Sequence, residues 1–496
     1  MSETIQKLRA LEKRMFAYQY AMSLIETDEA TVAPSGGEEG RGEALEILSS
    51  ALYDLIAGDD LPRLLHAAEQ EDLDEQSAAE VRELRRQNDQ LTKVPAAEYA
   101  AGTRLMANSR VAWHKAKQAN DFSLFAPWLE KLVDNRRRWA DYFMPGQDAL
   151  ATWLDQNQEG LTVAETDRFF ASLREAIVPL LRRIQSEGTA PRTDFLQGTW
   201  PLEKQKELSA YVMEVMHLDP AHCALSETEH PFTQELYNDD VRITTHYYVN
   251  DMISNLFSVI HEGGHALYEL HVDSALRYTA VTGGSSIGLH ESQSRLFENY
   301  VGRSREFLSF LWPKLLELFP ENLAGVTCEE FYRAVNRVEP SLIRTEADEL
   351  TYSLHVMVRY ELEKQLLNGT LSVSDLPAAW NRLYKEYLGV DVPNDTVGVL
   401  QDVHWSQGSF GYFPGYALGT AYAAQMVAQM KQHLDFAGCC AKGDLQPILD
   451  YQTEALWKYG KLRTPDVLIR QACGGEFDPS YFVRYLEEKY TDIYQL

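Results

Sequence analysis

Helical periodicity runs through almost the whole of this chain, and it restricts the fold to helices packed on helices. Between Leu161 and Ile184, the side chains Phe169, Phe170, Leu173, Ile177, Leu180, Leu181 and Ile184 fall on one stripe, and Thr162 with Glu165 forms a capping box at its start. Similar patterns cover Ile5–Ile25, Glu43–Ile56, Ala96–Ala119, Ser123–Phe143, Leu350–Leu367 and Leu418–Leu434. Breakers separate them, among them Pro34-Ser35-Gly36-Gly37, Met144-Pro145-Gly146 and Gly188-Thr189-Ala190-Pro191. No long linker, repeat or low-complexity tract interrupts the series. A chain of 496 residues can bury a large core. The expected architecture is one mostly α-helical unit over 1–496. Residues 1–200, which hold no catalytic constellation, are its candidate lid or wall lobe, and 201–496 its catalytic lobe.

One stretch departs from the helical period. Asp240 to Tyr248 alternates Val, Ile, Thr and Tyr with polar residues, which is a strand signal. Its position just before the next helix leaves two readings open. It is either an ordinary hairpin in an α-rich fold or an edge to which an extended peptide pairs.

That next helix carries His261-Glu262-Gly263-Gly264-His265. Asn250 and Asp251 are suitable N-cap residues, and Ile253, Leu256, Phe257, Ile260 and Leu267 follow at helical spacing. Residues i and i+4 lie on one helical face, so His261 and His265 can offer two imidazoles to one metal ion. Glu262, one step round the helix, can reach a water activated by that metal and serve as general base. In a chain with 13 His the pattern alone is a weak signal. Its context strengthens it. An unpaired His or Glu in this apolar setting would be unfavourable. Two glycines inside a helix each cost about 1 kcal/mol relative to Ala, which suits a close approach to the backbone. A third ligand is available downstream of the breaker loop Thr282–Ser286, where Glu291 and Glu298 are rivals. Two His, one Glu and water give a catalytic zinc site with one open position. Cobalt suits the same donors.

The formal charge of −28, from 46 basic and 74 acidic residues, argues against nucleic-acid and anionic-membrane partners. Five cysteines at irregular spacing suggest reduced thiols and a cytoplasmic setting. The first residues hold no apolar segment of the secretory kind. No run approaches the ~18 apolar residues of a membrane span.

Several short motifs, in order along the chain, resemble the carboxypeptidase Taq family of thermostable metallocarboxypeptidases. They are His230-Pro231-Phe232, Asp240-Val241-Arg242-Ile243-Thr244, His261–His265, His290-Glu291-Ser292-Gln293 and Ile343-Arg344-Thr345-Glu346-Ala347-Asp348. His404–Gly408, Gly411–Pro414 and the early Pro34, Gly37 and Arg41 are also similar to the family. The resemblance implies a large α-helical zinc-peptidase fold with a deep active-site groove and a small β-sheet beside it. It further implies a homodimer, and release of single C-terminal residues from peptides with broad specificity and poor action next to proline. It selects Glu291 over Glu298 as the third ligand.

An exopeptidase must bind the free C-terminal carboxylate, for which the fork of Arg is best suited. Arg344, within a family motif, is the first candidate, although it could instead pair with Asp348 at i,i+4 on a helix. Arg242 is the second. The resemblance places His404, Tyr412 and Tyr416 in an active-site wall, where neutral donors can stabilise the oxyanion. His230 either lines the site or caps a turn. An oligoendopeptidase or dipeptidyl carboxypeptidase of similar fold is the alternative function, since zinc chemistry does not reveal where a groove ends. A non-catalytic scaffold that keeps the motif is a third reading.

Overall fold

The pattern of apolar stripes becomes a protein that is 68% helix and 4% strand, in a computed structural model that describes residues 2–496. Side-chain caps open several of the helices. Helix α1 (Glu3–Thr31) is capped by the Ser2 hydroxyl. It is followed by α2 (Glu38–Ala57), α3 (Asp60–Ala68), α4 (Glu75–Thr92), α5 (Ala96–Ala119), α6 (Ala126–Phe143) and α7 (Ala149–Asn157). Helix α8 (Val163–Glu187) carries the expected capping box of Thr162 and Glu165 and buries Phe169, Phe170, Leu173, Ile177, Leu180, Leu181 and Ile184. Helix α9 (Leu202–Val215) leads into the sheet.

The sheet has three strands, β1 (Cys223–Glu227), β2 (Thr233–Tyr237) and β3 (Asp240–Thr245), in the order β1-β3-β2. β1 runs parallel to β3, whereas β2 is antiparallel to it and forms one edge. The strand ends at Thr245, earlier than the alternation suggests. Tyr248 makes only an isolated bridge to Asp251, the residue that caps the next helix.

That helix, α10 (Met252–Leu270), packs on β3 and faces α11 (Ile287–Arg295). A π-helical turn, Leu296–Gly302, continues α11 directly. The chain then forms α12 (Arg305–Leu318), α13 (Cys328–Val335), α14 (Glu349–Asn368), α15 (Leu376–Tyr387) and α16 (Pro414–Met430), with further short helices to Tyr494. The apolar pattern over Leu418–Leu434 outlasts its helix by four residues, because the amides of His433 and Leu434 both turn back to the Met430 carbonyl. No helix among the described residues is long and apolar enough to cross a membrane.

Burial divides the chain unevenly. Ile5, Leu8, Leu61, Leu65 and Leu84 belong to an apolar cluster that α1–α4 keep to themselves, with Ala280 of the body packed against it. The side chains of α5–α9 join the main core instead. The two clusters divide the buried apolar side chains of the first 200 residues between them. Polar contacts tie α1–α4 to the body, among them Ala280 N–H to Glu12 Oε1 at 2.8 Å and Arg82 Nη2 to the Lys461 carbonyl at 2.6 Å.

Candidate active site

The close crossing of two helices builds the site. A Cβ on Gly264 would lie 2.7 Å from the Gln293 carbonyl oxygen and 2.8 Å from the Ser294 Cα, so only glycine lets α10 meet the α11 backbone. On the other flank of α11, a Cβ on Gly419 of α16 would lie 2.7 Å from the Glu291 Cβ. A Cβ on Gly263 would lie 2.7 Å from the Met216 Cε. The Gly-Gly pair thus has a steric role that outweighs its helix propensity.

This crossing brings together three side chains of the expected metal set. One donor atom each from His261, His265 and Glu291 lies within 4.8 Å of the others. Glu291 Oε2 is 3.8 Å from His261 Nε2 and 3.6 Å from His265 Nε2. Zinc bonds of about 2.0–2.2 Å in tetrahedral array separate their ligands by about 3.3–3.6 Å, so the donors fit such an ion with little adjustment. Their protonation fits too. Glu298 Oε2, acceptor-only when ionised, takes a hydrogen bond from His261 Nδ1 at 2.9 Å and leaves Nε2 with its lone pair. Burial pushes the His265 imidazole down to about 3, which keeps it neutral.

The rival ligand Glu298 therefore sits behind His261 rather than beside the donor triangle. Arg295 joins the two carboxylates, donating from Nε to Glu291 Oε1 at 2.8 Å and from Nη1 to Glu298 Oε2 at 2.9 Å. Arg303 adds a bond to Glu298 Oε1 at 3.1 Å. Burial opposes the ionisation of Glu298, but Arg295 and the His261 hydrogen bond outweigh it and hold the group well below the usual carboxylate range.

Glu262 is buried and its Oε2 accepts the Thr233 hydroxyl of β2 at 2.6 Å. Burial raises its pKa, which suits a group that must take up and release a proton. Thr233, which sequence reasoning missed, is the cross-strand partner of Ile243, and its hydroxyl also lies 3.1 Å from the Glu262 carbonyl oxygen of α10.

The remaining candidates divide. Arg344 lies in a 3₁₀ turn, Arg344–Glu346, so it is not the helical partner of Asp348, which instead caps α14. It is buried. Its Nε donates to Asp402 Oδ1 at 3.1 Å and its Nη1 to the Tyr352 hydroxyl at 2.9 Å. Asp402 also holds the fully buried Arg359, at 2.6 Å. The Tyr416 ring lies under the Arg344 guanidinium at 5.0 Å, and Tyr412 is 5.5 Å from Tyr416, centre to centre. His404 Nε2 is 3.4 Å from the Tyr416 hydroxyl, and burial lowers its pKa to about 4. Glu363 fixes the segment that bears His404 and Tyr412 by accepting from Trp405 Nε1 at 2.8 Å and the Gly411 N–H at 2.9 Å.

Arg242 is placed elsewhere. It pairs with Asp240 on its own strand, at the register position of Gln234 rather than of Thr233. His230 is exposed, and its carbonyl accepts the Thr228 hydroxyl at 3.0 Å in a turn between β1 and β2.

A helical fold built on this H-E-x-x-H crossing defines a metallopeptidase. The chain belongs to the carboxypeptidase Taq (M32) metallopeptidase family, whose model matches residues 7–490. It is 39% identical over 489 residues to carboxypeptidase 1 of Bacillus subtilis, covering 98% of each chain. It is 34% identical over 499 residues to thermostable carboxypeptidase 1 of Pyrococcus furiosus, covering 99% of each. The crystal structure of an M32 carboxypeptidase from Deinococcus radiodurans superposes with a TM-score of 0.97 at 37% identity, over 100% of both chains. The protein is a metal-dependent carboxypeptidase, and the oligoendopeptidase or dipeptidyl alternative is not favoured.

Proposed function

We propose that the enzyme removes single residues from peptide C-termini with His261, His265 and Glu291 as metal ligands, Glu262 as base and Arg344 as receptor of the terminal carboxylate. Zinc is the metal this donor set favours, and cobalt suits it as well. When bound, the metal supplies Lewis-acid polarisation and lowers the pKa of water. Glu262 takes the proton of the attacking water and passes it to the leaving amine. The hydroxyl of Thr233 holds the Glu262 carboxylate in place between those two transfers. Neutral His404 with Tyr412 and Tyr416 serves as donor to the oxyanion.

A charge count carries the assignment of Arg344. Two buried guanidiniums, Arg344 and Arg359, share one carboxylate, Asp402. One positive charge is left over, and a substrate carboxylate would compensate it. Arg344 Nη2 makes no hydrogen bond among the described residues and is free to receive that carboxylate.

Broad side-chain specificity, poor action next to proline, a homodimer and a cytoplasmic setting complete the proposal by resemblance to the family. The unpaired cysteines Cys223, Cys328, Cys439, Cys440 and Cys473 suit that setting. Residues 1–92, with their own apolar cluster, are the lid unit we propose within the wider 1–200 lobe.

Mass spectrometry of peptide ladders, with and without chelator, tests the reading. Stepwise loss of single C-terminal residues that stops on chelation is expected. Internal cleavage, or release of dipeptides only, would overturn it.

A further inference from the structure

His265 has no carboxylate of its own, unlike His261. Its Nδ1 lies 2.5 Å from Nδ1 of His290, and His290 Nε2 lies 2.6 Å from Glu269 Oε1. Glu269 is 6% exposed and stands one turn beyond His265 on α10. A carboxylate can only accept, so the His290 proton resides on Nε2. When His265 Nε2 is the metal-binding nitrogen, its Nδ1 carries the proton, and the Nδ1 lone pair of His290, whose own proton is on Nε2, accepts that hydrogen bond. His265 Nε2 is the nitrogen facing Glu291 Oε2.

The surrounding chain is shaped to this pair. Both Glu269 oxygens accept the Gly284 N–H at 3.0 Å. A Cβ on Gly284 would fall 2.5 Å from His290 Cδ2 and 3.0 Å from Glu269 Oε1, so the breaker loop settles directly on the pair only because residue 284 is glycine. The next amide, Ser285 N–H, is held by the Tyr268 hydroxyl at 3.1 Å, and the Tyr268 ring lies 5.4 Å from that of His290.

We propose that Glu269, acting through His290, is a positioning residue that fixes the tautomer and orientation of His265 and thereby sets metal affinity from outside the ligand shell. The inference rests on His265 being a ligand. Outer partners of metal-bound histidines alter affinity by about 10- to 100-fold.

The test measures zinc affinity of the full chain by chelator competition, well below its melting temperature, together with the cobalt(II) absorption spectrum. Glu269→Ala should bind zinc about 10- to 100-fold more weakly and shift the cobalt bands. Glu269→Gln, whose carboxamide oxygen still accepts from His290, should lose less. Gly284→Ala, which leaves both side chains in place but lifts the loop, should also weaken binding. It carries the test if Glu269→Ala does not fold. Zinc affinity within twofold of the parent in Glu269→Ala, or in Gly284→Ala where Glu269→Ala does not fold, with an unchanged cobalt spectrum, would overturn the proposal. His265→Ala separates the two assumptions. If it abolishes zinc binding while the Glu269 and Gly284 variants bind normally, only the positioning role fails. If it binds like the parent, the ligand assignment itself fails.

Discussion

Arg344 donates to the Tyr352 hydroxyl at 2.9 Å, while the guanidinium of Arg295, which grips the proposed ligand Glu291, lies 4.7 Å from the centre of the same ring. One tyrosine therefore spans the gap between the proposed metal ligands and the proposed carboxylate receptor. Tyr352→Phe keeps the ring and removes the hydroxyl. Hydrogen bonds to charged groups contribute about 1.5–3 kcal/mol, so kcat/KM should fall about 10-fold or more, chiefly through KM. Zinc affinity should not change, and steady-state kinetics beside a metal titration separates these effects.

Loss of the receptor itself should be more severe. Arg344→Ala should lower kcat/KM by about 100-fold or more on peptides with a free C-terminus. The more telling comparison is with C-terminal amides. The parent should discriminate strongly against them, and the variant should lose that discrimination. An unchanged ratio of rates on acid and amide substrates would remove Arg344 from this role.

Glu262→Gln preserves the shape of the side chain and its contact with Thr233 but not its basicity. Turnover should drop by about 10²- to 10⁴-fold, with one metal ion per chain still bound. Elemental analysis of the purified variant, together with its rate, checks both halves of the expectation.

Gly264→Ala opposes two effects on one residue. Alanine favours a helix over glycine by about 1 kcal/mol. The new Cβ would, however, meet the Gln293 carbonyl at 2.7 Å, and backbone cannot rotate away. Overpacking of this kind costs about 1–3 kcal/mol. Thermal unfolding should show net destabilisation, and zinc should bind more weakly as α11 and Glu291 are displaced.

Glu12 gives the junction of α1–α4 with the body a pH dependence. Burial raises its pKa to about 8, and its Oε2 has no hydrogen-bond partner. The native state keeps this proton between the unfolded value near 4.5 and about 8, whereas the unfolded chain releases it. The unfolded state binds fewer protons in that window, so the contribution to stability falls as pH rises through it. The limit is about 1.4 kcal/mol for each pKa unit. Glu12→Gln should flatten the decline in melting temperature from pH 5 to 8, and a slope identical to the parent's would exclude Glu12 as its source.

Much of this was legible in the residues. Apolar stripes located α8, α5 and the H-E-x-x-H helix, and the first and last of these open on side chains, Thr162 and Asp251, that accept from their first amides. The i,i+4 histidines and Glu291 also came together as spacing and resemblance implied. What stayed hidden depends on contacts distant in sequence. Thr233 meets Glu262 from a strand 29 residues away, and Asp402 reaches Arg344 across 58. Which core a helix joins was equally invisible, since α5 reads like α1 in its apolar spacing. Glu298 could not be placed by counting, because an α-helical count fails where the turn widens.

That wide turn has a consequence for anyone who would graft this chemistry. Leu296–Gly302 winds as a π-helix, and from it Glu298 reaches the rear nitrogen of His261 while Glu291, seven residues earlier, faces the front of both histidines. A regular helix brings residues seven apart to nearly the same side, so the irregularity is what separates the two duties. The smallest transplantable unit is therefore longer than the five-residue motif. It runs through an imperfect helix, and idealising that helix, as a designer habitually does, would erase the support for His261.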